Sequence, residues 1–135
     1  MSEHATPAEL ARLEQVRKDL LRVHKGLLEA ERLRYEAVNG PVPNNMVFLQ
    51  LVIDDPWFEW LRPMAQLVLL IDEKASDKQT PLGADEAAEL YRQGRSLLTP
   101  DAAGEPFQRL FHDAVEASQK LAVLVHHVQQ GYLTH

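Results

Sequence analysis

DDPWFEWLRPMAQLVLLIDE, residues 54–73, holds both tryptophans of the chain within four residues and forms its most apolar window. Asp55 followed by Pro56 reads as a helix start. An aspartate oxygen accepts from early backbone amides, and proline loses nothing at a position whose amide has no helical partner. From there Trp57, Trp60, Leu61, Met64, Leu67, Val68 and Ile71 recur at helical spacing and are expected on one buried face. Phe58 lies off that stripe. Pro63 sits inside it, and its missing amide and its ring predict either a kink or the opening of a second segment.

Upstream, residues 46–53 are apolar except for Gln50. Their length and β-branched content fit a strand or a buried helix; with no second strand candidate to pair with, a helix is expected. Residues 41–44, with two prolines, form the turn before it. Ahead of that turn lies the longest helical pattern. Thr6, Pro7, Ala8 and Glu9 make a capping box with proline at the first helical position. Leu13, Val16, Leu20, Val23, Leu27, Ala30 and Ala37 follow at heptad spacing, with Arg34 as the one interruption. Leu21, Leu28 and Tyr35 widen the stripe beyond a two-stranded seam, which predicts several helical neighbours. Asn39, Gly40 and Pro41 stop this helix.

Downstream, residues 77–83 read as a polar loop. A third helix is expected over about residues 84–98, with Ala87, Leu90, Tyr91, Gly94 and Leu97 inward. Gly94 costs about 1 kcal/mol in helix propensity relative to alanine, and a close helix crossing would account for it. After a loop at 99–106, a last helix is expected from about Pro106 to Gln130. Phe107, Leu110, Ala114, Ala117, Leu121, Leu124 and Val128 form its seam, widened by Phe111, Val125 and Tyr132. The expected architecture is all-α: an antiparallel helical bundle of four main helices, the second broken near Pro56 and Pro63. At 135 residues it suits one domain over 1–135, with an N-terminal arm at 1–6 and a C-terminal tail at 132–135.

The composition narrows the function classes. Asp and Glu number 20 against 14 Lys and Arg, a formal charge of -6. That argues against general nucleic-acid binding, which rests on basic patches. The most basic stretch, residues 12–34, interleaves Glu14, Asp19, Glu29 and Glu31 and reads as a solvated helix face. No cysteine is present, so disulfides, thiolate nucleophiles and sulfur-ligated metals are excluded. The start of the chain lacks the apolar core of a signal peptide, and the longest apolar stretch is too short to span a bilayer. A soluble cytoplasmic protein is the expectation, with neither membrane nor nucleic acid as partner.

Reactive constellations are sparse. The six histidines are His4, His24, His112, His126, His127 and His135. No Glu-x-x-His and no His-x-x-x-His occurs, so the ligand spacings of metal-binding bundles are missing. His112 and Glu116 stand four apart, but the seam places His112 and His126 on the outermost line, with His127 on its flank. The doublets Asp54–Asp55 and Asp72–Glu73 point about 100° apart within each pair and cannot act as one site. Ser76, Ser96 and Ser118 lack nucleophile-elbow flanks, and the six glycines are scattered singly. No catalytic residue, metal site or cofactor is therefore assigned. Trp57, Phe58, Trp60 and Arg62 are the candidate contact residues, since tryptophan and arginine dominate interface hot spots. The expected function is a non-enzymatic protein acting through protein–protein contacts, as a homodimer. The alternative is a bundle enzyme or carrier holding a metal or a small apolar ligand between helices, with His24, His127 and an inward carboxylate as candidate ligands.

Overall fold

A computed structural model of the chain describes residues 3–133. The fold is an all-α bundle of α1 (Pro7–Asn39), α2 (Asn45–Asp54), a 3-10 helix (Pro56–Leu61), α3 (Arg62–Ser76), α4 (Ala84–Leu97), α5 (Pro106–Ala117) and α6 (Gln119–Leu133). Of the tail expected at 132–135, Tyr132 and Leu133 belong to α6; residues 134–135, His135 among them, lie outside the described residues, as do residues 1–2 of the arm. Among the described residues no helix is long and apolar enough to cross a membrane.

The 33-residue α1 is the axis on which α3, α4, α5, α6 and the 3-10 helix pack, while α2 packs on the 3-10 helix. Its start is the capping box: the Thr6 amide donates to the Glu9 carboxylate at 2.9 Å, and the Glu9 amide donates to the Thr6 hydroxyl at 3.2 Å. The Thr6 amide, and then the Thr6 hydroxyl, favour ionised Glu9 and hold its carboxyl below the usual range. The helix ends at Gly40, whose φ of 90° lies in the region glycine alone enters freely. The arm before it is pinned rather than loose: the Ala5 amide donates to the Leu82 carbonyl at 2.9 Å, and the Ala84 amide donates to the Glu3 carbonyl at 2.7 Å.

Helix directions follow from cross-helix neighbours. Lys120 meets Glu29 at 3.3 Å and Tyr132 meets Asp19 at 2.7 Å, so α6 runs antiparallel to α1. Ala87 lies beside Glu9 and Arg12 while Gly94 lies against Val16, so α4 runs parallel to α1. Lys74 meets Glu86 at 3.2 Å while Pro63 faces Ser96 and Leu97, so α3 opposes α4. At Gly94 a side chain's Cβ would approach Val16 Cγ2 to 2.9 Å, so the glycine marks the close crossing of α1 and α4. Val16, Leu20, Val23 and Leu27 of α1, with Met64, Ile71, Leu90, Phe111, Ala114 and Leu121, fill the core.

Four expectations about these elements need correction. First, among the described residues the second helix breaks near Pro56 and Pro63 as expected, but the last one is divided as well. Ser118 is extended (φ -139°, ψ 109°) and its hydroxyl accepts the Leu121 amide at 3.2 Å, so it ends α5 and caps α6. The restart shifts the buried line of α6 onto Leu121, Val125 and Val128, leaving Leu124 half-buried and Leu110 and Ala117 of α5 exposed.

Second, the tryptophan segment is not α-helical. In a 3-10 helix residues three apart eclipse. Phe58 and Leu61 therefore share the inward face and lead to Met64, while Trp57 and Trp60 are half-buried, Trp57 against α1 and Trp60 against α5. Third, Leu21 is 44% exposed, so the second stripe of α1 is only partly covered. Fourth, residues 12–34 are not a wholly solvated face, because Asp19 and Glu31 are buried at 5% and 3% exposure.

Candidate functional site

Three regions could carry function: the aromatic end of the bundle with α2, the two buried acids, and the histidines. At the aromatic end, the 3-10 helix packs under the last turns of α1. Trp57 lies edge-on to Tyr35 at 5.5 Å, Tyr35 tilts on Phe58 at 5.7 Å, and Phe48 of α2 meets Phe58 edge-on at 5.6 Å. Trp60 points the other way, onto Phe107 at 5.4 Å. Buried indole N–H groups require an acceptor, and Trp57 Nε1 donates to Glu31 Oε2 at 3.0 Å. Arg34 closes the other oxygen of Glu31 at 2.7 Å. Arg62 donates to the Ile53 carbonyl at 2.5 Å and so ties the end of α2 to the start of α3.

Of the four sequence-predicted contact residues, Phe58 is core at 1% exposure and cannot face a partner as placed. Trp57 and Trp60 are half-buried, and Arg62 is exposed. The surface they mark is covered in large part by α2. That helix is NMVFLQLVID, capped by Asn44, whose side chain accepts the Val47 amide at 2.9 Å. It is helical as expected, but it is not a buried helix: no residue of it is buried. Phe48, Leu51 and Val52 half-cover themselves against the bundle. Met46, Leu49 and Ile53, spaced 3 and 4 residues apart, form an outward stripe at 79%, 57% and 55% exposure. With Val47 it makes the densest group of exposed large apolar side chains among the described residues. Its a–d–a spacing was legible in the sequence; what the sequence did not show is that no helix of the same chain covers it.

Asp19 forms the second region. Its oxygens accept from Tyr132 Oη at 2.7 Å and Gln15 Nε2 at 3.2 Å, with Arg22 at 3.7 Å. Burial first, and then the bond to Asp19, push the Tyr132 phenol far above its ordinary range, so it stays protonated. Arg95 covers the same ring at 4.5 Å. The two buried acids thus share one design: each accepts the N–H or O–H of an aromatic ring from a distant segment. Sequence reasoning missed both, although Trp57 and Tyr132, aromatic rings with polar tips, signalled the need for acceptors.

The histidines do not converge. His126 and His127 are exposed, and His24 is half-buried, its pKa lowered by burial. His112 is half-buried rather than outermost: Nε2 lies 3.5 Å from Glu116, and the buried Nδ1 has no hydrogen-bond partner. Among the described residues no group of three or more His, Asp or Glu is placed to hold a metal ion. Asp55 caps the 3-10 helix by accepting the Trp57 amide at 2.9 Å, and Asp54 pairs with Gln50. The chain matches no family model, and neither a curated protein nor a solved structure shows significant similarity to it.

Proposed function

We propose that this is a cytoplasmic, non-enzymatic protein that acts through protein–protein contacts, as a homodimer in which a second copy covers α2. The observation that supports this is the stripe Met46, Leu49 and Ile53 on a helix with no buried residue. Apolar side chains at this spacing are the seam of a two-helix contact. An antiparallel arrangement suits it, because it opposes the helix dipoles. It also brings Arg32, which sits beside Asn45 at the start of α2 and is loosely paired with Glu36 at 3.7 Å, toward the partner's Asp54.

The magnitudes predict a weak dimer. Covering four partly exposed apolar side chains (Val47 is the fourth) on each of two copies is worth on the order of 10 kcal/mol. Association costs about 4–15 kcal/mol. A standard interface hides about 800 Å² per partner, more than one ten-residue helix supplies. Val38, 73% exposed at the same end of the bundle, would have to contribute, with Trp57, Trp60 and Arg62 at the rim.

Sedimentation over low to high micromolar concentration tests this reading. The expected result is a concentration-dependent dimer that Ile53→Glu converts to monomer while leaving the melting temperature at monomeric concentration unchanged. A wild-type chain that stays monomeric at every concentration, or a dimer that Ile53→Glu leaves intact, would overturn it.

A further inference from the structure

Away from α2, a cleft of about 480 Å³ opens between the first half of α1, α4 and the end of α6. That is within the size range of small-molecule sites. Tyr91 and Val128 give it an apolar wall, and Tyr132 its floor. The floor is held rigidly: Tyr132 donates to the buried Asp19, lies edge-on to Tyr91 at 6.4 Å, and is covered by Arg95. A preorganised floor lowers the ordering cost of binding.

The charge of the cleft is opposite to that of the chain. Asp19 is its one acid, and its oxygens are already taken by Tyr132, Gln15 and Arg22. Arg12 at the mouth has no hydrogen-bonded or ion-paired partner among the described residues, and Glu9 lies within reach of its charge. His127 faces the cleft from α6. A guanidinium binds carboxylates through two parallel N–H donors, which gives both strength and orientation. A net -6 surface repels anions in general, so a cleft presenting spare cationic donors beside an apolar wall is selective by contrast.

We infer that this cleft binds a small organic carboxylate whose apolar body, about the size of one ring, lies against Tyr91 and Val128 while its carboxylate meets Arg12. The site is independent of α2, so it does not stand or fall with the dimer.

Benzoate is the probe, with benzamide as its uncharged counterpart and inorganic phosphate as an anion without an apolar body. Amide NMR titration of the full chain should show saturable shifts with benzoate confined to residues 11–22, Tyr91 and residues 127–132. Benzamide and phosphate should bind much more weakly. Arg12→Gln, an exposed change that should leave the melting temperature unaltered, is expected to weaken benzoate by about tenfold or more. Ile53→Glu should leave benzoate binding unchanged. Absence of saturable shifts, equal binding of benzamide or phosphate, or an unaffected Arg12→Gln variant would each overturn the assignment.

Discussion

α2 and α3 are neighbours in sequence, separated by one 3-10 helix, and both are rich in leucine, valine and isoleucine. Their fates differ. α3 spreads polar residues along one side and buries Met64, Leu67, Val68 and Ile71. α2 is apolar nearly all round and buries nothing. Apolar content therefore does not decide burial; the supply of facing surface does. α3 lies along α1 and α4, while α2 rests on the aromatic 3-10 helix at the edge of the bundle, with only Phe48, Leu51 and Val52 finding cover. A helix that is apolar on every side is ordinarily central in its protein. Here it stands at the rim, and the proposed second copy rests on that contrast.

The largest expected effect contrasts the residues on which these two regions rest. Phe58→Ala removes a fully buried ring that touches both Tyr35 and Phe48, and should cost about 3–5 kcal/mol in urea unfolding at monomeric concentration. Leu49→Ala, on the outward face of α2, should cost within about 0.5 kcal/mol under the same conditions. Similar losses for the two would mean that α2 is embedded in the monomer and that the contrast is false. Raising the protein concentration sharpens the test, because only Leu49→Ala should then lose stability that the wild-type chain gains by mass action.

The helical framework, though not this contrast, was largely readable from the chain alone. The Thr6–Glu9 capping box, the stop at Gly40, the helix at 46–53 and the fresh start at Asp55–Pro56 are short-range signals, and each depends on chemistry within a few residues. The all-α bundle follows from the heptad recurrence of Leu13 through Ala30. Three features were not legible, for physical reasons. The tryptophan segment carries a spacing compatible with either helix type, and tertiary packing of Phe58 under Tyr35 and Phe48 selects the 3-10 form. Ser118 is a weak local signal that becomes a break only because α6 must turn back along α1. The burial of Asp19 and Glu31 is set by partners 113 and 26 residues away, Tyr132 and Trp57. The cleft above Tyr132 inherits that long-range character.

A mid-sized effect probes how tightly the compact half is built. Gly94→Ala improves helix propensity by about 1 kcal/mol, but the new methyl would meet the stiff, buried Val16 at 2.9 Å. Overpacking of this kind costs about 1–3 kcal/mol, so the net expectation is a loss of about 1 kcal/mol by denaturant unfolding. Val16→Ala, destabilising by itself, should make Gly94→Ala neutral or favourable, a coupling that a double-mutant cycle would measure. Additive losses would show that α1 and α4 do not cross closely at this point. No comparable coupling is expected for any substitution on the outward stripe of α2.

The smallest effect separates the two regions by pH. His24 lies on the long helix and is half-buried, and burial lowers its pKa from the ordinary 6.5. The folded chain thus resists protonating His24, while the unfolded chain accepts the proton readily. Because the unfolded state binds more protons in this window, stability rises with pH. It should be complete above pH 6.5, decline as pH falls below that value, and level off once His24 is charged in the folded state as well. His24→Gln should flatten that part of the stability–pH curve, leaving the contribution of the carboxylates at lower pH. A slope that survives His24→Gln would mean that the proton is taken up elsewhere. If the Ile53→Glu monomer keeps the same slope as the wild-type chain, the titration belongs to the packed half alone, and the apolar ledge of α2 is electrostatically silent.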